Sequence, residues 1–210
     1  MISQQTLDEV KSLKQLSKEP LFWVMENCKP TDGDDLLWLE FGVWKGASIN
    51  YFGQFTRQIV YGFDSFEGLP EKWRTGFGEG HFSMDGKFPN VRDNVTLIKG
   101  WFDQSLPVFL ADQQNRSISF VHFDADLYSS TAFVLSSIAL RLAPDAIFVF
   151  DELINYEGFD GENGELKAWD EFIQKYDVQY SWIGGHGEFG DHKTCNEKAA
   201  VRIHSVKPKV

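Results

Sequence analysis

Cysteine is scarce: the 210 residues hold only Cys28 and Cys195, in no metal-binding or redox spacing. That excludes a disulfide framework and fits a reducing compartment. Long apolar runs are also missing, since stretches such as Ala146 to Phe150 are far too short to span a bilayer. The N-terminus lacks the basic-then-apolar order of a signal peptide, so a cytoplasmic protein is expected. Basic residues are outnumbered, with 20 Lys and Arg against 31 Asp and Glu and a net charge of -11. A phosphate-tracking surface would have to be built against that field, so neither nucleic acid nor membrane is an expected partner. No repeat or low-complexity tract occurs. GxSxG and HExxH are absent, and the glycine turn that follows the first strand lacks GxGxxG spacing, which argues against a serine hydrolase, a zinc site of that type and a pyrophosphate cradle there.

What the chain does hold is core-forming material: 42% of residues are hydrophobic and 15% aromatic, which excludes intrinsic disorder. The length favours a single domain over residues 1–210, with residues 1–30 as an N-terminal helical segment. Leu7, Val10, Leu13 and Leu16 predict an amphipathic helix over residues 4–18, and a short second helix is expected over Phe22 to Asn27. Strand-like runs follow at Leu36–Phe41, Ile59–Phe63, Val95–Ile98, Ser119–Phe123, Ala146–Phe150, Gln179–Ile183 and Ala199–Ile203. Helix-compatible segments separate the first five, clearest at Ser48–Phe55 and Ser130–Leu142, and near-continuous apolar strands so separated predict a parallel sheet covered on both faces. Leu166, Trp169, Phe172 and Ile173 mark a further helix. The last two strands, joined without a helix, read as an antiparallel hairpin. The fold class is therefore α/β and Rossmann-like, with seven mostly parallel strands. The glycine-rich stretches Gly76–Gly86 and Gly184–Gly190 read as loops.

The first strand runs into Glu40-Phe41-Gly42-Val43-Trp44-Lys45-Gly46-Ala47-Ser48, a turn whose two glycines let the backbone pass close to a ligand. Glu40 there would repel phosphate and suit a cationic amino-acid end. The second strand closes on Gly62-Phe63-Asp64-Ser65-Phe66-Glu67-Gly68-Leu69-Pro70, where Asp64 stands about where a carboxylate accepts ribose hydroxyls. Lys99-Gly100-Trp101-Phe102 follows the third strand and offers a small residue and aromatics to an adenine ring, with core packing as the alternative.

The strongest constellation is Val121-His122-Phe123-Asp124-Ala125-Asp126-Leu127-Tyr128-Ser129-Ser130-Thr131, paired with Phe148-Val149-Phe150-Asp151-Glu152-Leu153 on the next strand. Ligands of doubly wound sheets bind outside the carboxyl ends of the strands, so Asp124, Asp126, Asp151 and Glu152 would crowd one crevice. Such crowding calls for a cation, and oxygen donors suit Mg2+ or Mn2+. In an extended chain Asp124 and Asp126 would share a face roughly 6.6 Å apart, allowing one to hold metal while the other handles a proton. Helix capping by these acids is the competing reading. His122 is expected as a buried, hydrogen-bonded imidazole rather than a ligand. His81, His186 and His192 carry no metal spacing. The acidic stretch Tyr156–Glu165 reads as a solvated lead-in to a helix, and Trp73, Phe77 and Phe82 as generic loop aromatics.

Together and in order, EFGVWKGAS, GFDSFEGLP, KGWF, HFDADLYSST and FDEL resemble the macrocin O-methyltransferase family of class I methyltransferases, over about residues 38–175. The resemblance implies S-adenosylmethionine as methyl donor and Mg2+-dependent transfer to a hydroxyl, often on a sugar of a natural product. It implies that Glu40, Gly42, Gly46, Ser48 and Asp64 bind the donor, with Ser65, Gly100 and Trp101 as neighbours and Asp124 bordering it. Asp124, Asp151 and Glu152 would hold the metal, and Asp126 would be the general base. Asp151-Glu152 stands where the family usually has two adjacent aspartates, and Pro70 to Asn94 departs from the family in length. The expected partner is a small hydroxylated acceptor, and a homodimer is the expected assembly. A nicotinamide-dependent oxidoreductase, a metal-independent methyltransferase and a non-catalytic donor-binding module are the alternatives.

Overall fold

The protein is described by a computed structural model over residues 1–154, 156, 159, 162–186 and 198–209. Gly187–Gly190 of the second glycine-rich stretch, His192, Cys195 and residues 155, 157, 158, 160 and 161 of the acidic stretch lie outside the described residues. Two helices, α1 (Gln4–Lys11) and α2 (Pro20–Asn27), precede a sheet built from β1 (Leu36–Phe41), β2 (Val60–Asp64), β3 (Val95–Lys99), β4 (Ser117–Phe123), β5 (Leu142–Phe150), β6 (Tyr176–Gly185) and β7 (Ala199–Pro208). Interspersed are α3 (Ala47–Phe52), α4 (Phe102–Asp112), α5 (Tyr128–Ile138) and α6 (Gly164–Lys175). The strand order is β3-β2-β1-β4-β5-β7-β6, with β1 to β5 parallel and β7 antiparallel to both its neighbours.

Side-chain alternation divides the core between the two faces of this sheet. Leu37, Leu39 and Phe41 of β1 pack with α1, α4, α5 and α6, while Trp38 joins α2 and α3 on the other face. Both faces are covered, which is why the central strands read as unbroken apolar runs. Phe41, Phe63, Phe123 and Phe150, one at or near the end of each of four strands, stack in a row along the first face. Each such buried ring contributes roughly 1.5–3 kcal/mol by leaving water. No helix among the described residues is long and apolar enough to cross a membrane.

Three local departures from the expected elements have physical causes. The first helix stops at Lys11 rather than 18, because the following chain pairs with the end of β6: Leu16 N–H donates to Gly185 O at 2.8 Å and Gly185 N–H to Lys14 O at 3.0 Å. Gly184 permits that approach, since a Cβ there would press on the Lys14 carbonyl. Between β2 and β3 no helix forms. Gly68, Gly76, Gly80 and Gly86 all hold positive φ there, and residues 65–94 fold as a succession of turns. Conversely, α4 carries Pro107 in its interior, which hides a helix from propensity reasoning.

Candidate active site

The ladder continues past the strand ends and sets the site's geometry. Gly42 N–H donates to Phe63 O at 3.0 Å, Asp124 N–H to Phe41 O at 2.9 Å, Asp151 N–H to Phe123 O at 3.0 Å and Gly100 N–H to Asp64 O at 3.0 Å. Five motif residues from five strands therefore stand in one row along the carboxyl edge of the sheet. Gly42, at φ +90°, is required by packing: a Cβ there would collide with the Asp124 carbonyl.

Above this row lies a cavity of about 520 Å3. Among the residues expected to meet the donor, Gly42, Asp64, Ser65, Trp101 and Asp124 line it, as does Asp126. Asp64 fixes the glycine turn. Its Oδ2 accepts the amides of Val43 at 2.8 Å and Trp44 at 2.7 Å, and its Oδ1 accepts that of Phe66 at 2.6 Å. A carboxylate offers about four lone-pair sites, so three amides leave one for a ligand hydroxyl. Trp44, Phe82, Trp101 and Phe102 supply apolar walls. Acids beside apolar surface suit a sulfonium ligand carrying a ribose and an aromatic base. The turn-rich segment after β2 forms one side, tied across by Trp44 against Phe82 at 5.3 Å between ring centres and by Ser129 Oγ donating to Glu71 at 2.8 Å.

Glu40, Gly46, Ser48 and Gly100 do not line the cavity. Gly46 packs on Pro89 and Val91 of the segment after β2. Glu40 is wholly buried beneath the floor, because it shares the α2/α3 face of β1 with Trp38 and stands in register with His122. Its Oε1 meets His122 Nδ1 at 2.8 Å, and Ser48 also favours its carboxylate. His122 is buried and hydrogen-bonded on both ring nitrogens, its Nε2 lying 3.2 Å from Asp151 Oδ1. Burial opposes its charge, but Asp151 and Glu40 outweigh burial and push its pKa up to about 10. Asp151 is held down to about 2: burial acts to raise it, and His122 and Lys198 overcome that.

The acids divide into two groups. Asp124, Asp126 and Glu152 converge, with one carboxylate oxygen from each within 4.8 Å of the others. Asp151 is outside this trio, in contrast to the expected set of Asp124, Asp151 and Glu152; its Oδ2 is occupied by Lys198 Nζ at 2.7 Å. Nor are Asp124 and Asp126 on one extended strand. β4 ends at Phe123, and Asp126 takes φ +60°, which turns its carboxylate back toward Asp124. Burial and then the neighbouring negative charges push both Asp124 and Glu152 well above the usual carboxylate range. Glu152 Oε2 is shielded from solvent and meets no hydrogen-bond donor. An all-oxygen trio with a stranded buried oxygen fits a hard divalent cation.

Glu165 belongs to this site, and the sequence did not single it out. It is wholly buried, accepts the Glu152 amide on Oε2 at 3.2 Å and the Thr131 hydroxyl on Oε1 at 3.3 Å, and is pushed well up by burial. The acidic stretch is thus not a solvated lead-in at this residue. Its position in the first turn of α6, beside the apolar Leu166 and Trp169, was the available signal.

Residues 39–153 match a family described as a methyltransferase domain. The chain belongs to this methyltransferase family. S-adenosylmethionine is accordingly its methyl donor, and the sheet order with its antiparallel C-terminal hairpin is that of the class I methyltransferases. Among solved structures, the chain is similar to CalS11, a calicheamicin methyltransferase, with 20% identity, TM-score 0.57 and coverage of 87% of this chain and 75% of that one. It is similar to the O-methyltransferase NovP with 18% identity, TM-score 0.56 and coverage of 96% and 80%. A Bacillus cereus O-methyltransferase in complex with SAH gives 13% identity, TM-score 0.50 and coverage of 97% and 92%. Among curated protein sequences, none is significantly similar to the chain.

Proposed function

We propose that this methyltransferase transfers its methyl group to a hydroxyl of a small molecule such as a sugar or other natural product, assisted by Mg2+ or Mn2+, in the manner of the macrocin O-methyltransferases. The observation that carries this reading is the convergence of Asp124, Asp126 and Glu152, the first two of which line the cavity. CalS11 is a TDP-rhamnose 3'-O-methyltransferase, which agrees with a hydroxyl acceptor for this chain.

A divalent cation bound there would supply Lewis acidity and lower the pKa of an alcohol that is otherwise a poor nucleophile. Asp124, Asp126 and Glu152 would hold it. Asp126, which also lines the cavity, accepts the proton as the acceptor oxygen takes the methyl group and S-adenosylhomocysteine is left. Asp64 holds the glycine turn and offers its remaining lone pair to the donor's ribose. Trp101 and Phe102 border the adenine. Much of the rate comes from holding donor and acceptor in line within one crevice.

The test is transfer of a labelled methyl group to a panel of hydroxylated small molecules, with Mg2+ or with EDTA. Transfer to an oxygen that stops in EDTA and returns with added cation is expected. Undiminished transfer in EDTA, or methylation only at nitrogen or carboxyl groups, contradicts the proposal.

A further inference from the structure

A second chemistry-bearing cluster stands away from the methyl-transfer cavity, where β5, β7 and the edge strand β6 lie side by side. Ser181 Oγ of β6 meets His204 Nε2 at 3.0 Å, and His204 Nδ1 meets Asp145 Oδ1 at 2.6 Å. A carboxylate only accepts, so Nδ1 of the neutral ring carries the proton and Nε2 is left to accept from the Ser181 hydroxyl. Serine, imidazole and carboxylate are thus in series, each ring nitrogen on the partner that nucleophilic catalysis requires. Two backbone irregularities bring the three together. The register passes from Tyr180↔Ile203 to Gln179↔Ser205, so His204 is the extra residue of a bulge, a device that re-aims a side chain. Asp145 takes φ +61° within β5, and Arg202 Nη1 donates to its carbonyl at 3.5 Å. Arg202 is also the cross-strand partner of Ser181, which puts a guanidinium on the serine's side of the sheet. The cluster is open to solvent, with the His204 and Asp145 side chains 43% and 55% exposed, and a recess of about 350 Å3 along β6 reaches Ser181.

We propose that Ser181 and His204, positioned by Asp145, form a second active site that hydrolyses small carboxylic esters. Ser181 Oγ attacks the ester carbonyl carbon while His204 Nε2 takes the hydroxyl proton. The bond to the alcohol oxygen then breaks, and the alcohol leaves with that proton. Water, deprotonated by His204, attacks the acyl carbon, the carboxylic acid departs and the Ser181 hydroxyl is restored. Arg202 is placed to stabilise the oxyanion formed at each attack. The absence of GxSxG excludes only the strand-to-helix elbow that this motif builds, since a triad is defined by geometry rather than by chain position. The openness of the site admits short acyl esters without a gate. Neither the methyl donor nor a divalent cation enters this reaction, so it is independent of the transfer proposed above.

The experiment follows hydrolysis of p-nitrophenyl acetate by the full-length protein in EDTA without S-adenosylmethionine. Ser181→Ala and His204→Gln should each lower the rate by about tenfold or more, and Asp145→Asn should lower kcat by a similar factor with KM unchanged. Each variant is also titrated with S-adenosylmethionine, whose binding should match wild type because none of the three residues borders the donor cavity. A fluorophosphonate ester supplies a readout that needs no variant: peptide mass spectrometry of the treated wild-type protein should find the phosphonyl group on Ser181. Hydrolysis no faster than in buffer, a rate unchanged in Ser181→Ala, or phosphonylation absent or confined to other residues would overturn the proposal and leave the methyl-transfer reading standing.

Discussion

The carboxylate of Asp64 accepts the amide of Trp44 at 2.7 Å, joining the end of β2 to the turn that leaves β1. With the Val43 amide on the same oxygen, one side chain sets the shape of the donor side of the cavity. Asp64→Ala therefore loses both the anchor of the glycine turn and the lone pair offered to the ribose. Donor affinity should fall by about tenfold or more, the counterpart of one to two charge-assisted hydrogen bonds. Asp64→Asn, which keeps one acceptor oxygen, should fall between the two. Calorimetric titration of S-adenosylmethionine into each variant checks the order.

Asp126→Asn should abolish transfer while changing donor affinity little, because the amide cannot accept the acceptor's proton. Measuring turnover and donor binding on the same preparation checks the split. Activity equal to wild type would remove Asp126 from the proton path.

Glu165 is sealed from solvent, and its work is to hold the Glu152 amide and the Thr131 hydroxyl. Glu165→Ala should leave the Glu152 amide unpaired and cost about 1–3 kcal/mol of stability. Glu165→Gln, which can still accept at one oxygen, should cost less. Denaturant unfolding of both variants in EDTA separates them.

The pH dependence of stability follows from the buried groups. His122 is raised to about 10 in the fold from an ordinary 6.5, so its contribution is complete below about 6.5 and is lost as pH rises toward 10. Asp124, Glu152 and Glu165, raised above the ordinary carboxylate range, add to the same trend, since each prefers its proton in the folded state. Asp151, lowered to about 2, gives up its contribution only in strong acid. The metal-free protein should therefore lose thermal stability as pH rises from mildly acidic toward 9, and Mg2+ should flatten the slope. Melting curves across that range with EDTA and with Mg2+ check the sign.

How far the sequence reaches is clearest strand by strand. β1 was legible to the residue, since Leu36–Phe41 is apolar on both faces apart from Glu40 and is bounded by turn-formers on either side. β6 and β7 extend beyond the expected Gln179–Ile183 and Ala199–Ile203, because their outer halves carry alternating solvent-facing residues such as Asp177 and Lys207 that break an apolar run. The row Gly42, Asp64, Asp124 was readable because doubly wound sheets gather their strand ends. Facing was not. Glu40 falls beneath the floor, and Asp151 turns toward Lys198, because each is governed by which side of a strand it occupies and by a partner distant in sequence. Glu165 was hidden for a related reason: apolar Leu166 and Trp169 mark the buried face of α6, but the partners that enclose Glu165, namely Thr131 and the Glu152 amide, are distant in sequence.

The most direct measurement is calorimetric titration of S-adenosylmethionine and of NAD+ into the purified protein, each with Mg2+ and with EDTA. The account predicts heat for S-adenosylmethionine and none for NAD+, together with a separate Mg2+ heat that disappears in Asp124→Ala. No S-adenosylmethionine binding at millimolar donor, or equal binding of NAD+, would contradict it.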